Sequence, residues 1–104
     1  MEFIETDIFT KRIIEVLTDD EYNYLQADLI KKPDAGKLIR GGKGLRKLRW
    51  SSGGKGKSGG IRVIYYLVNE EKIYMIFAYK KSDQEDLTSE QLKILAQYVK
   101  GGVL

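Results

Sequence analysis

The chain has 104 residues, 42% of them hydrophobic and 32% charged, which is enough apolar material for one core and too little length for a second. It contains no cysteine and no histidine, so disulfides, thiolate or imidazole metal sites and histidine acid–base catalysis are excluded. The formal net charge of +3 conceals an asymmetry: from Ala35 to Asn69 there is no acidic residue, while Lys37, Arg40, Lys43, Arg46, Lys47, Arg49, Lys55, Lys57 and Arg62 are all basic.

The predicted elements follow from apolar spacing. FIET at 3–6 reads as a short strand. Phe9, Ile13, Val16 and Leu17 share one face of a first helix. Thr18 and Glu21 form a T-x-x-E capping box, which starts a second helix with Tyr22, Leu25 and Leu29 as its apolar stripe, and Pro33 stops it. A glycine-rich basic region follows, within which LRKLRW at 45–50 alternates as a strand does. IRVIYYLV at 61–68 and KIYMIFAYK at 72–80 are two further strands joined by the turn NEEK. Thr88 and Gln91 repeat the capping-box pattern, Leu92, Leu95 and Val99 make a last helix, and Gly101 is placed to end it. The order β-α-α-β-β-β-α predicts an α+β fold with a mostly antiparallel sheet of about four strands, two N-terminal helices on one face, and a C-terminal helix.

Strand parity sharpens the charge asymmetry. In LRKLRW, Lys47 and Arg49 share a face and Leu48 and Trp50 share the other. Arg62 interrupts a strand that is otherwise apolar on both faces, Tyr79 ends a row on the last strand, and Lys81 extends that row if the strand runs on. One sheet face can therefore gather Lys47, Arg49, Arg62, Tyr79 and Lys81, a surface suited to a polyanion such as a phosphate backbone. The segment SSGGKGKS imitates a phosphate-binding loop, but the pattern requires glycine at Ser51 and a helix opening at Lys57, whereas Gly59, Gly60 and a strand follow. A nucleotide triphosphatase is therefore excluded. No apolar run approaches the ~20 residues of a membrane span. The start MEFIETDIFTKR has neither the basic beginning nor the apolar stretch of a signal peptide, so a reducing cytoplasm and no membrane partner are expected.

The element order, the segment GLRKLRW followed by GKGKSGGIRVIYY, and the later YKK-x(5)-LT resemble the RelE/HigB family of bacterial toxins, most nearly its HigB branch, along the whole chain. The resemblance implies a single RelE-like toxin domain over 1–104. It implies a ribosome-dependent, metal-independent mRNA endonuclease that cuts the codon in the ribosomal A site, uses no cofactor, and is paired with a cognate antitoxin. The antitoxin would carry a helix-turn-helix domain, and operator DNA would be met only through it. Residue by residue, the family's strand arginine matches Arg62, and its cations on the preceding strand match Lys47 and Arg49. Lys55 and Lys57 are additions of this branch. The basic residue after the last strand matches Lys81, a lysine where arginine is common. The family's later tyrosine has no counterpart in 82–87, so Tyr79 is the candidate in its place. Catalysis is thus expected from Arg62, Lys81, Tyr79, Lys57 and Lys55, and RNA binding from Lys47, Arg49, Arg46 and Lys43. With no histidine, the base is left to a carboxylate, a tyrosine or a lysine of lowered pKa. The alternatives are a ParE-like inhibitor of DNA gyrase and a non-catalytic nucleic-acid-binding domain.

Overall fold

A computed structural model describes residues 1–51 and 60–100. Its elements are β1 (Glu2–Glu5), α1 (Asp7–Val16), α2 (Asp19–Lys31), β2 (Lys37–Leu38), β3 (Leu45–Trp50), β4 (Ile61–Asn69), β5 (Lys72–Lys80) and α3 (Ser89–Lys100). The predicted α+β order is present, with one addition: the two-residue β2 pairs antiparallel with β3 and makes a fifth strand. The sheet runs β1-β5-β4-β3-β2; β1 is parallel to β5 and all other neighbours are antiparallel.

Local chemistry sets the helix starts. Thr6 caps α1 by accepting from the Phe9 N–H at 3.1 Å, and its hydroxyl donates to the Ile76 carbonyl at 2.8 Å, which ties the β1–α1 junction to β5. The capping box at α2 is complete: Thr18 Oγ1 accepts from Glu21 N–H at 3.1 Å, and Glu21 Oε1 accepts from Thr18 N–H at 2.8 Å. Thr88 and Gln91 exchange the same two bonds, each 3.0 Å, at the start of α3. Thr18→Ala removes one half of such a box, and a loss of about 1 kcal/mol is expected. For a chain of this size that is a fall of roughly 4–8 °C in melting temperature, readable by thermal denaturation.

The sheet buries both faces, because β4 is apolar on both. Phe9 and Ile13 of α1 and Leu25 and Leu29 of α2 pack on Ile61, Val63, Tyr65, Ile73 and Met75, with Leu48 and Trp50 at the margin. On the opposite face, Leu95 and Ala96 of α3 meet Leu45, Ile64, Ile76, Phe77 and Tyr79. One irregularity determines which β5 side chains go where. The register steps from Ile64 opposite Phe77 to Tyr65 opposite Met75, so Ile76 is an extra residue on β5. Strict alternation would place Tyr79 on the same face as Ile73 and Met75. The bulge at Ile76 switches the parity, so Ile73 and Met75 face α1 and α2 while Phe77 and Tyr79 face the other way.

Candidate functional site

The α3 side of the sheet is covered by that helix over part of its area. Toward the C-terminal ends of β3 and β5 and the start of β4, it carries a transverse row. Arg49 lies directly opposite Arg62, and Arg62 directly opposite Tyr79. Lys47 faces Ile64 one pair further along the same face. Like charges directly opposite each other on adjacent strands destabilise a sheet. The sequence accepts that cost at Arg49–Arg62 and again at Lys37–Lys47, where β2 meets β3. Arg62 is only 7% exposed, and its Nη1 donates to the Ile61 carbonyl at 3.3 Å. A buried guanidinium beside a second one forms a fixed site of positive potential for an anion.

Tyr79 completes the row. Its side chain is 3% exposed, and its hydroxyl has no hydrogen-bond partner among the described residues. Burial pushes the phenol above its ordinary pKa, the Asp86 charge adds to that shift, and Arg62 opposes it. The phenol is therefore neutral at neutral pH, with a proton it can donate. Its ring lies 5.9 Å from that of Phe77, over which the Arg12 guanidinium of α1 sits at 5.6 Å.

Beside the row runs a groove of about 590 Å³, lined by Lys37, Arg40, Lys47, Arg49, Asp86 and Leu92 among others. Asp86, from the β5–α3 connection, is the acidic residue in its lining. Its Oδ1 accepts from Lys47 Nζ at 3.2 Å and from the Leu87 N–H at 2.8 Å. The backbone bond is the main cause that holds its carboxyl below the usual carboxylate range; partial burial opposes it, and Lys47 and then Arg62 reinforce it.

The expected site residues divide into three groups. Lys47, Arg49, Arg62 and Tyr79 come together on one face; strand parity accounts for Lys47 and Arg49, and the bulge at Ile76 brings Tyr79 to Arg62. Lys81 does not extend the Tyr79 row as a strand residue, because β5 ends at Lys80. Its backbone is nevertheless at the site, since its N–H donates to the Gly60 carbonyl at 3.1 Å next to the start of β4. Gly60 has φ +57, and a Cβ there would lie 2.4 Å from the Trp50 carbonyl oxygen, so only glycine fits where β3 and β4 close on each other. Arg46 is on the opposite face. Its guanidinium donates to the Gly36 carbonyl at 2.8 Å and the Asp34 carbonyl at 3.4 Å, and so fastens the connection after α2. Lys43 is exposed, with φ +58, in the turn before β3, and lines an adjoining groove with Lys93 and Gln97 of α3. Lys55 and Lys57 lie outside the described residues. Asp86 was not legible as a site residue: it sits in the acidic run SDQED, where nothing in the spacing separates it from Asp83 or Glu85. Among the described residues no three acidic side chains gather into a metal site, and no helix is long and apolar enough to cross a membrane.

The fold is similar to that of a double arginine-to-alanine mutant of the E. coli toxin RelE in the free state, with a TM-score of 0.57 and 20% identity over 96% of this chain and 95% of that one. The family model of the RelE toxin of the RelE/RelB toxin–antitoxin system matches residues 8–102. With nearly the whole chain matched, from α1 through α3, this protein belongs to the RelE toxin family.

Proposed function

We propose that this toxin is an endoribonuclease that cuts mRNA in the ribosomal A site and so stops translation, with residues 1–104 acting as one domain. The observation that carries the reading is the Arg49–Arg62–Tyr79 row with Lys47 beside it: two guanidinium groups, an ammonium and a neutral phenol on one sheet face. Such a set suits phosphodiester cleavage by the neighbouring ribose. The 2′-oxygen attacks phosphorus in line, the bond to the 5′-oxygen breaks, and a 2′,3′-cyclic phosphate and a 5′-hydroxyl result. Negative charge grows on the phosphoryl oxygens in the transition state, where Arg62 and Lys81 stabilise it and Tyr79 donates a hydrogen bond. Arg49 and Lys47 hold flanking phosphates. Lys55 and Lys57 supply further backbone contacts from the segment that joins β3 to β4. No step in this scheme asks for a metal ion or a cofactor.

The natural partners are the ribosome with mRNA in its A site and a cognate antitoxin, which carries a helix-turn-helix domain and brings the pair to operator DNA; the toxin acts in the cytoplasm. Mapping mRNA ends after induced expression tests the activity. Ends bearing a 5′-hydroxyl, clustered within A-site codons, are expected. Intact mRNA together with loss of gyrase supercoiling would overturn the reading in favour of a gyrase inhibitor.

The row also predicts a salt effect. Lys47→Ala with Arg49→Ala should weaken ribosome binding and flatten its dependence on salt by roughly 0.7–0.9 log units per lost phosphate contact. Measuring affinity from low to high salt checks it, and an unchanged slope would place the RNA elsewhere.

A further inference from the structure

The stretch from 35 to 69 supplies cations to the site and no acid, so a carboxylate can reach this face only from another part of the chain. The β5–α3 connection provides one. Asp86 is held there by two bonds on a single oxygen, Oδ1, from Lys47 Nζ and the Leu87 N–H. Its second oxygen, Oδ2, accepts no hydrogen bond among the described residues, and the side chain is 64% exposed, so it is open to a substrate in the groove. The connection itself is pinned. Gln84 Nε2 donates to the Asp86 carbonyl at 3.0 Å and to Gln91 Oε1 at 2.9 Å, and Gln91 is in turn bonded to Thr88 at the start of α3. A carboxylate fixed on one oxygen, free on the other and mounted on a braced turn is a preorganised acceptor.

We propose, on the basis of the ribonuclease reading above, that Asp86 is the proton acceptor of the cleavage reaction, with Oδ2 receiving the proton of the ribose 2′-hydroxyl. As the O2′–H bond breaks, its electron pair forms the bond from O2′ to phosphorus. The P–O5′ bond breaks with its electrons on O5′, which takes a proton from water, and Asp86 later returns its proton to solvent. The charged and titratable groups facing Asp86 are Lys37 and Arg40 from β2 and the turn after it, Lys47 and Arg49 from β3, Arg62 from β4 and Tyr79 from β5. Their environments push Asp86 and Tyr79 apart: the carboxyl is ionised and the phenol neutral through the neutral range, so one can take a proton and the other cannot. The cationic surround also makes Asp86 a weak base, so its contribution belongs near the low end of general-base catalysis, about 10²-fold.

The test is single-turnover cleavage in a stalled ribosomal complex at saturating protein, with wild type, Asp86→Asn and Asp86→Glu compared from pH 5.5 to 8.5. Asp86→Asn should slow the step about 10²-fold without weakening ribosome binding, because the substitution removes a negative charge from a phosphate-binding face. Its residual rate should climb about tenfold per pH unit, as reaction with hydroxide requires, while wild type stays far flatter. Asp86→Glu should recover part of the rate and the flatter profile. A positioning role alone would leave the pH profile of Asp86→Asn parallel to wild type, and that result overturns the proposal, as does a wild-type rate in Asp86→Asn. If Asp86→Asn melts early, Asp86→Glu decides: a folded glutamate variant whose profile shows the hydroxide slope also defeats the assignment. Wild-type protein that leaves ribosome-bound mRNA intact would defeat the ribonuclease reading itself, a failure distinct from that of Asp86 alone.

Discussion

Arg62→Ala is expected to abolish growth arrest and to slow cleavage by 10²- to 10³-fold, with the fold retained. The expectation rests on where the guanidinium sits. It is 7% exposed, in the middle of the Arg49–Arg62–Tyr79 row, on a strand whose other residues from Ile61 to Tyr65 are apolar and buried. A donor fixed before the reaction and aimed at developing phosphoryl charge costs no reorganisation in the transition state, and removing one such donor costs about 2.7–4 kcal/mol. The cost to the fold should be limited, because the attraction of Asp86 for this guanidinium is offset by the repulsion of Arg49. The Arg49 charge lies directly across from it, so alanine relieves a repulsion as it removes packing. Arg62→Lys separates charge from geometry. It keeps the positive charge and loses the planar fork, and should recover only part of the rate. Toxicity, cleavage in a stalled complex and thermal melting are measured together. Full cleavage by Arg62→Ala would remove the residue from the chemistry, and a collapse in melting temperature shared by both variants would make it a structural residue of β4.

Most of the fold is legible in the sequence because its signals are local. Thr18–Glu21 and Thr88–Gln91 place two helix starts within a few residues, and the apolar runs at 61–68 and 72–80 place the central hairpin. The candidate site is legible in part for the same reason. Parity along β3 puts Lys47 and Arg49 on one face, and the fold keeps them there, whereas Arg46, expected among the same RNA-binding cations, turns to the Gly36 carbonyl on the far face. What escapes the sequence is set by pairing between strands. The short β2 exists only because Lys37 and Leu38 meet Lys47 and Arg46 across the sheet. The bulge at Ile76 is invisible in KIYMIFAYK, yet it decides that Tyr79 joins Arg62 and does not follow Met75 toward the helices. Asp86 comes to Lys47 across 39 residues of chain, a contact no local pattern encodes. Its arrival changes the chemistry available. A face read as purely cationic can bind and stabilise a phosphate, but needs a group of another kind to take a proton.

Purified protein is expected to cut free mRNA far more slowly than mRNA held in the ribosome, and this difference should be the largest effect of all. The described site has the means to stabilise charge and little to orient a flexible strand. Arg49, Arg62 and Lys47 are fixed by the sheet, while the groove beside them is open and lined by mixed cations and aliphatic side chains. Nothing there stacks a base, since no aromatic side chain lines the groove among the described residues. Cleavage by the neighbouring hydroxyl requires O2′, phosphorus and O5′ in line, a geometry that single-stranded RNA samples only rarely. If the ribosome holds the codon with these three atoms aligned, the toxin need not supply that orientation itself. Prepaid orientation of that sort is worth up to about 7–11 kcal/mol in favourable intramolecular reactions, so even half of it outweighs any one side chain of this site. The basic excess of the 35–69 stretch fits the same division of labour, being wider than one trinucleotide needs and suited to rRNA backbone on either side of the codon. The measurement is single-turnover cleavage of one transcript, free and in an elongation complex with an empty A site, at protein concentrations that saturate both. A rate at least 10³-fold higher in the ribosome is expected, with Asp86→Asn and Arg62→Ala reducing it within the complex. Equal rates in the two settings would mean that the chain orients its own substrate, and the search would then move to residues 52–59.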